Sequence, residues 1–199
     1  MCHAFLNDAR FYRFLFDIDQ DIARQVQAGG CSCGGVLHSA CYPRKPRGIR
    51  SNLDKSYNTR LSFCCAEEDC RRRSTPPSVR FLGRKVYLGV IVILVTALVH
   101  GLTHKRQKQL VEQLDLWPQT LVHWRKWWRE IFPSSRCWQE ARGHFIPPVE
   151  TDQLPGALLG RLDGKDLCQR LCHLLRLLTP ITTTSWSGYL RVIIDPQKM

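Results

Sequence analysis

The cysteines are the feature of this chain that most constrains its fold. Six of the ten cysteines lie between residues 31 and 70. Five of them form two groups, CSCGG from Cys31 and CCAEEDC from Cys64, and Cys41 lies between the groups. Two cysteine pairs, each beside a tight turn, supply the four thiolates of a closed tetrahedral zinc site. We therefore predict a structural zinc site in a small β module resembling a zinc ribbon, with the ligands Cys31, Cys33, Cys65 and Cys70.

The spacing of the cysteines leaves alternatives open. Four residues separate Cys65 from Cys70, which is within the usual range, but a single residue separates Cys31 from Cys33. Cys64, Cys41 or His38 could therefore replace one of the four ligands. The alternative to a metal site is a set of reduced, buried cysteines.

The N-terminal sequence predicts the redox compartment. MCHAFLNDARFYRFLF has no basic start, no long apolar run and no small-residue cleavage site, so it does not resemble a secretory signal. We therefore expect a cytoplasmic protein, in which thiols stay reduced and disulfides are rare.

The charge of the chain is strongly basic. It carries 29 lysines and arginines against 17 acids, a net charge of +12. Residues 31–85 hold twelve of the basic residues and four of the acids, a net charge of +8. Such a balance favours an acidic partner, either nucleic acid or an anionic membrane surface.

Hydrophobic periodicity predicts helices on both sides of the cysteine-rich segment. Apolar residues at helical spacing predict a helix over 7–28, with Asn7 at its start and Gly29-Gly30 at its end. Short β-rich runs are expected at 60–65 and 78–86. Further helices are expected over 105–114, 118–132 (ended by Pro133), 135–142, 154–162 and 165–178, and a weak strand at 189–194.

The run over residues 86–103 is apolar almost throughout. Eighteen residues in a helix extend about 27 Å, close to the shortest length that spans a membrane. A buried core helix gives the same pattern, and it is the interpretation we favour.

The stretch over 105–132 predicts a helix-turn-helix, with a break at 115–117 and Pro118 at the first position of the second helix. Leu121, Trp124, Trp128 and Ile131 share one face of that helix and are expected to pack inward. On the other faces, Gln119 and Thr120 are suited to contact base edges. The principal predicted DNA contacts, including phosphate contacts near the second cysteine group, are Arg71, Arg72, Arg73, Gln119, Thr120, His123, Arg125, Lys126 and Arg129. Arg106 and Lys108 on the first helix are also expected to bind phosphates.

The order of these motifs resembles a known architecture. Two cysteine groups, the basic segment CRRRSTPPSVRFLGRK, an apolar helix and TLVHWRKWWREIF are similar to the zinc-ribbon and helix-turn-helix portion of insertion-sequence transposases. YRFLFDIDQDIA and LHSACYPRKPRG also resemble a family of uncharacterised bacterial proteins, some of which accompany mobile elements. The resemblance implies DNA binding, with Cys31, Cys33, Cys65 and Cys70 at the zinc positions.

Catalysis is not expected, because the 67 residues after Phe132 are too few for a metal-dependent strand-transfer domain and offer no catalytic dyad.

The predicted fold is α+β and mainly α, with a zinc-ribbon-like module packed on a multi-helix domain. The predicted divisions are an N-terminal helix (1–30), the module (31–85), the helical domain (86–180) and a tail (181–199). The expected function is DNA binding as a mobile-element accessory or regulator, with no small-molecule substrate and no membrane contact. A protein-interaction adaptor and a single-span membrane protein are the alternatives.

Overall fold

The computed structural model describes residues 8–46, 54–83, 87–99, 103–113 and 116–185. Within these ranges the chain is mainly helical, with a small antiparallel sheet. This agrees with the predicted class of a mainly α chain that carries a small β module.

The first helix, α1, spans Ala9–Ala28 and confirms the helix predicted over 7–28. The Asp8 side chain caps its start by accepting a hydrogen bond from the Arg10 backbone amide at 2.9 Å, and Asn7 lies outside the described residues. Gly29 ends the helix, and Gly30 follows with φ +67°. The apolar stripe that predicted the helix is buried, at Phe11, Phe14, Leu15, Ile18, Ile22 and Val26.

Two small antiparallel ladders follow α1. Strands β1 (Leu37–Ser39), β4 (Phe63–Cys65) and β5 (Arg73–Ser74) form a three-stranded sheet in the order β1-β4-β5. Strands β2 (Tyr42–Pro43) and β3 (Thr59–Arg60) form a two-stranded ladder, and a 3-10 turn at Lys55–Asn58 precedes β3. One face of the larger sheet packs on the end of α1 in a small core of Ala23, Val26, Leu37, Phe63 and Cys65.

The second β run, predicted over 78–86, does not form a strand in the described residues. Phe81 makes one isolated antiparallel bridge to Leu88, and residues 84–86 lie outside the described ranges. The backbone amide of Val79 donates to Asp19 Oδ1 at 2.7 Å, so a side chain of α1 takes the place of a neighbouring strand.

The apolar run becomes helix α2, Gly89–Val99. Eleven residues extend about 16 Å, and the side chains from Val90 to Val95 are almost completely buried, as a core helix requires. In the described ranges, no helix combines the length and the apolar character that crossing a membrane demands.

The helices that follow agree in position with the predicted ones, apart from the short helix α5, which was not predicted. They are α3 (His104–Gln113), α4 (Pro118–Lys126), α5 (Phe132–Ser134), α6 (Arg136–Ala141), α7 (Gly156–Arg161) and α8 (Leu167–Leu177). Single 3-10 turns lie at Arg142–His144, Thr151–Gln153 and Thr179–Thr182. Helix α4 packs against α2, and the strand predicted at 189–194 lies outside the described residues.

Two expectations for the end of α4 are wrong, for one reason. A π-helical turn spans Trp127–Ile131, in which the amide of Phe132 donates to Trp127 O, five residues earlier. The turn therefore contains one residue more than an α-helical turn, and the side chains after it are rotated around the helix axis. Phe132 is therefore fully buried, whereas Ile131, expected to pack inward, is 54% exposed. Helical backbone continues through Pro133 to Ser134 and does not stop at the proline.

Candidate metal centre and nucleic-acid interface

Four cysteine sulfurs lie close together between the turn at Cys31–Gly34 and the three-stranded sheet. The Sγ atoms of Cys31, Cys33, Cys65 and Cys70 lie within 4.8 Å of one another. Cys31 and Cys70 are 3.7 Å apart, and Cys33 and Cys65 are 3.4 Å apart. Four thiolates bound tetrahedrally at about 2.3 Å from one ion would be separated by about 3.8 Å. The cluster can therefore hold a metal ion, and its members are the four cysteines predicted from the sequence.

Both cysteine pairs sit on turns of similar design. The residue after the second cysteine of each pair has a positive φ: Gly34 at +88° after Cys33, and Arg71 at +42° after Cys70. Backbone hydrogen bonds close the turns, from Gly34 N to Cys31 O at 2.8 Å and from Cys70 N to Glu67 O at 3.1 Å. A left-handed residue reverses the chain, so that both sulfurs of a pair face the same point.

Backbone amides point at three of the four sulfurs. The amide two residues along the chain donates to each, from Cys33 to Cys31, from Glu67 to Cys65 and from Arg72 to Cys70. The Cys33 amide lowers the pKa of Cys31 to about 6, and burial raises the pKa of Cys65 to about 12. Amide donors stabilise thiolate, which is the form that binds a metal.

Gly35 is a functional position that the ligand assignment overlooked. A Cβ on this residue would lie 2.8 Å from Cys65 Sγ and 2.6 Å from the Glu67 side chain, closer than atoms pack. Only glycine lets the first turn approach the sulfur of the second group this closely. The paired glycines after Cys33 were the signal in the sequence.

The alternative ligands lie outside the cluster of sulfurs. Cys64 and His38 face each other across β4 and β1, on the side of the sheet opposite to Cys65. The Cys64 thiol bonds Arg71 O at 3.4 Å, and Cys41 bonds Ser39 Oγ at 3.4 Å. None of the three is needed to complete four ligands.

The basic segment after Cys70 is exposed and tethered to the module. Arg72 donates to Ser32 Oγ at 2.5 Å and so connects the two cysteine turns. Arg71 lies 3.8 Å from Glu68 with 60% of its side chain exposed, and Arg73 lies over the Tyr42 ring at 5.7 Å. Arg71 and Arg72 therefore lie beside the two cysteine turns, whereas Arg73, paired with Cys64 across β5 and β4, lies on the face of the sheet opposite to Cys65.

Helix α4 presents a polar and basic face to solvent. Leu121, Trp124 and Trp128 are buried as predicted, and Gln119, His123, Lys126 and Arg129 are exposed. Thr120 and Arg125 are half-buried, and the Nε atom of Arg125 has no hydrogen-bond partner among the described residues. Lys126 pairs with Glu130 at 3.7 Å. The predicted contact residues thus form two surfaces, one on the module rim and one on α4.

The exposed side chains of both surfaces are mainly cationic and amide groups. The ring of Trp127 packs on that of Trp128, with 4.8 Å between the ring centroids. No family model, no curated protein and no solved structure matches this chain.

Proposed function

We propose that this protein binds DNA and that a structural zinc ion, held by Cys31, Cys33, Cys65 and Cys70, stabilises the module that presents part of the binding surface. The observation that carries the proposal is the position of Arg71, Arg72 and Arg73. They directly follow the last cysteine of the cluster, so a bound ion would fix the turn at Arg71 and the short segment that leads through Arg72 to β5, which begins at Arg73.

Zinc is the metal that this ligand set favours. Four thiolates at tetrahedral spacing are typical of structural zinc, and soft sulfur ligands disfavour magnesium, calcium and manganese. The core under the three-stranded sheet contains five buried residues, of which two belong to α1, so it is too small to stabilise a fold alone and metal binding would contribute folding free energy. The hairpin and its two cysteine turns are zinc-ribbon-like in arrangement.

Charge supports DNA as the partner. The net charge of +12 gives long-range attraction to phosphates, and the module carries most of it. Helices α3 and α4 are proposed to form a helix-turn-helix, with α4 as the recognition helix. Its exposed residues Gln119, His123 and Lys126, with Arg129 on the π-helical turn that follows, would face the major groove.

The biological setting follows from the resemblance to the transposase N-terminal portion. We propose a cytoplasmic accessory or regulatory protein of a mobile element, without catalytic activity of its own. A reduced cluster of thiols fits the cytoplasm, where thiols are not oxidised to disulfides.

Two measurements test this function. Elemental analysis of the purified full chain should give about one zinc per chain. Affinity for a random duplex should fall steeply with salt, and Arg71→Ala with Arg73→Ala should reduce the slope of log affinity against log salt by about 2. Arg72 is left intact because its bond to Ser32 connects the two turns.

A matched control carries the same change in charge. Arg10→Ala with Arg136→Ala removes two exposed arginines on α1 and α6, and should leave the salt slope within error. Equal effects of the two double variants would indicate attraction by net charge alone. Folded, zinc-loaded protein that retains no DNA would refute DNA binding and favour the adaptor.

A further inference from the structure

Val122 is an apolar side chain on the solvent face of α4. It is 61% exposed, although its neighbours Leu121 and Trp124 are buried in the core. Single exposed apolar residues are common on protein surfaces, so exposure alone assigns it no role. Its position among the proposed DNA contacts is what distinguishes it.

Helical spacing places Val122 beside the residues proposed to read bases. Gln119, Val122 and Lys126 follow one another at intervals of three and four residues, and all three are exposed. Residues at these intervals form one stripe along a helix. Val122 is the fifth residue of α4, within the N-terminal half through which recognition helices contact base edges.

The acidic residue on this face does not interfere with the stripe. Glu130 lies eight positions after Val122, beyond the end of α4, and pairs with Lys126 at 3.7 Å. In the stripe itself the side chains are an amide, a branched alkyl group and an ammonium group. These are the groups that bind adenine, the thymine methyl group and phosphate respectively.

We propose that Val122 is a specificity residue that contacts the C5-methyl group of thymine in the major groove. Thymine is the base that presents an apolar group there, so a branched alkyl side chain discriminates it from the other bases. Gln119, one turn earlier, accepts and donates to adenine in the same site. The DNA sequence that this protein binds therefore contains A·T pairs at the positions contacted by the first turns of α4. This inference rests on the proposed DNA binding.

The test isolates one methyl group. A binding site is first selected from a random duplex pool with the zinc-loaded full chain. Each thymine of the selected site is then replaced by deoxyuridine, which pairs identically and lacks only the C5-methyl group. Affinities are measured for the wild type, for Val122→Ala and for the control Val36→Ala. Val36 is a valine of the β module that is 67% exposed.

When deoxyuridine replaces thymine, we expect the wild type and Val36→Ala to lose about fourfold in affinity at one or two positions. This is the loss expected when one methyl-sized apolar contact is removed. Val122→Ala should bind thymine and deoxyuridine equally at those positions. Because Val122 is exposed, this variant should keep the thermal midpoint and zinc content of the wild type, and both are measured to verify folding.

The outcomes separate the inference from the function on which it rests. Discrimination that persists in Val122→Ala, or a wild type indifferent to every deoxyuridine, overturns the role of Val122 and leaves DNA binding intact. A pool without any enriched motif also overturns it and supports binding without sequence preference. Recovery of no DNA at all refutes both.

Discussion

Asp19 and Arg80 form a completely enclosed ion pair: Arg80 Nε donates to Asp19 Oδ2 at 2.7 Å, and the two side chains are 1% exposed or less. Arg80 also donates to Tyr57 O at 2.5 Å and to Thr59 O at 2.9 Å. Asp19 in turn accepts from Ser78 Oγ at 2.5 Å. One pair thus joins α1, the start of β3 and the segment that leads to α2, and it holds the β module against α1.

The first prediction concerns this ion pair. Asp19→Ala leaves a buried guanidinium without its counter-charge, so the free energy of unfolding should fall by about 3–5 kcal/mol in urea titrations. The control is Glu140→Ala, which breaks the exposed Arg136–Glu140 pair and should change little. A loss under about 1 kcal/mol for Asp19→Ala would mean that water or rearrangement satisfies Arg80.

Adjacent cysteines provide the sharpest test of the metal centre. Cys65→Ser removes a sulfur of the cluster, so zinc content and affinity should collapse and the module should lose structure. Cys64→Ser changes the neighbouring thiol on the other face of β4 and should keep one zinc per chain. Cobalt loading reports the difference, because thiolate coordination gives an intense charge-transfer absorption. Equal zinc loss in both variants would contradict the assignment of ligands.

Gly35 is predicted to control metal affinity without touching the ion. Gly35→Ala places a methyl group 2.8 Å from Cys65 Sγ, and the turn must move to relieve the overlap. We expect zinc affinity to fall about tenfold in competition with a chromophoric chelator, within the usual range for an overpacked site. Gly143→Ala, whose Cβ meets nothing within 4 Å, is the control. Unchanged affinity in Gly35→Ala would show that the two turns are free to separate.

The sequence predicts those parts of this protein that depend on local periodicity or on a characteristic residue type. The stripe from Phe11 to Val26 specified α1, because an apolar period near 3.6 residues is characteristic of an amphipathic helix. Paired cysteines specified the cluster, since few residue types bind soft metals. The break before Pro118 also agrees with its predicted position.

Long-range polar contacts and changes of helical phase were not predictable in the same way. The Asp19–Arg80 pair joins residues far apart in the chain, and its one local signal was an acid at position 19 between the apolar residues Leu15 and Ile22. The segment after Ser78 has the composition of a strand, but the Val79 amide binds Asp19, and the amides of Arg80 and Phe81 bind Ser78 Oγ. The π-helical turn moved the buried position from Ile131 to Phe132, which an ideal helical period does not reveal.

Replacement of Arg71 by glycine should weaken DNA binding without lowering the stability of the fold. The φ of +42° at Arg71 costs a non-glycine residue about 1–2 kcal/mol of conformational free energy. Glycine removes most of this cost, but it also increases the conformational entropy of the unfolded chain, which offsets part of the gain. We expect Arg71→Gly to unfold at an equal or higher urea concentration and Arg71→Val at a lower one, because a branched side chain is most strained there. Both variants should lose DNA affinity equally through the missing charge. A ranking with valine more stable than glycine would contradict the left-handed conformation.

The last prediction concerns alkaline pH. Burial raises the pKa of Tyr12 to about 12, whereas the ordinary value in an unfolded chain is about 10. Burial also raises the pKa of Tyr57, whose ring lies 5.3 Å from that of Tyr12. Above pH 10 the unfolded chain releases these protons while the folded chain retains them. The stabilising contribution is therefore complete below pH 10 and is lost as pH rises from about 10 to 12.

Urea titrations under reducing conditions at several pH values up to 11.5 measure this loss. The free energy of unfolding should fall by about 2 kcal/mol for Tyr12 over that range. Tyr12→Phe should give a shallower dependence on pH, because the remaining slope comes from Tyr57 and other groups. An identical slope in the wild type and in Tyr12→Phe would mean that the Tyr12 hydroxyl reaches solvent in the folded state.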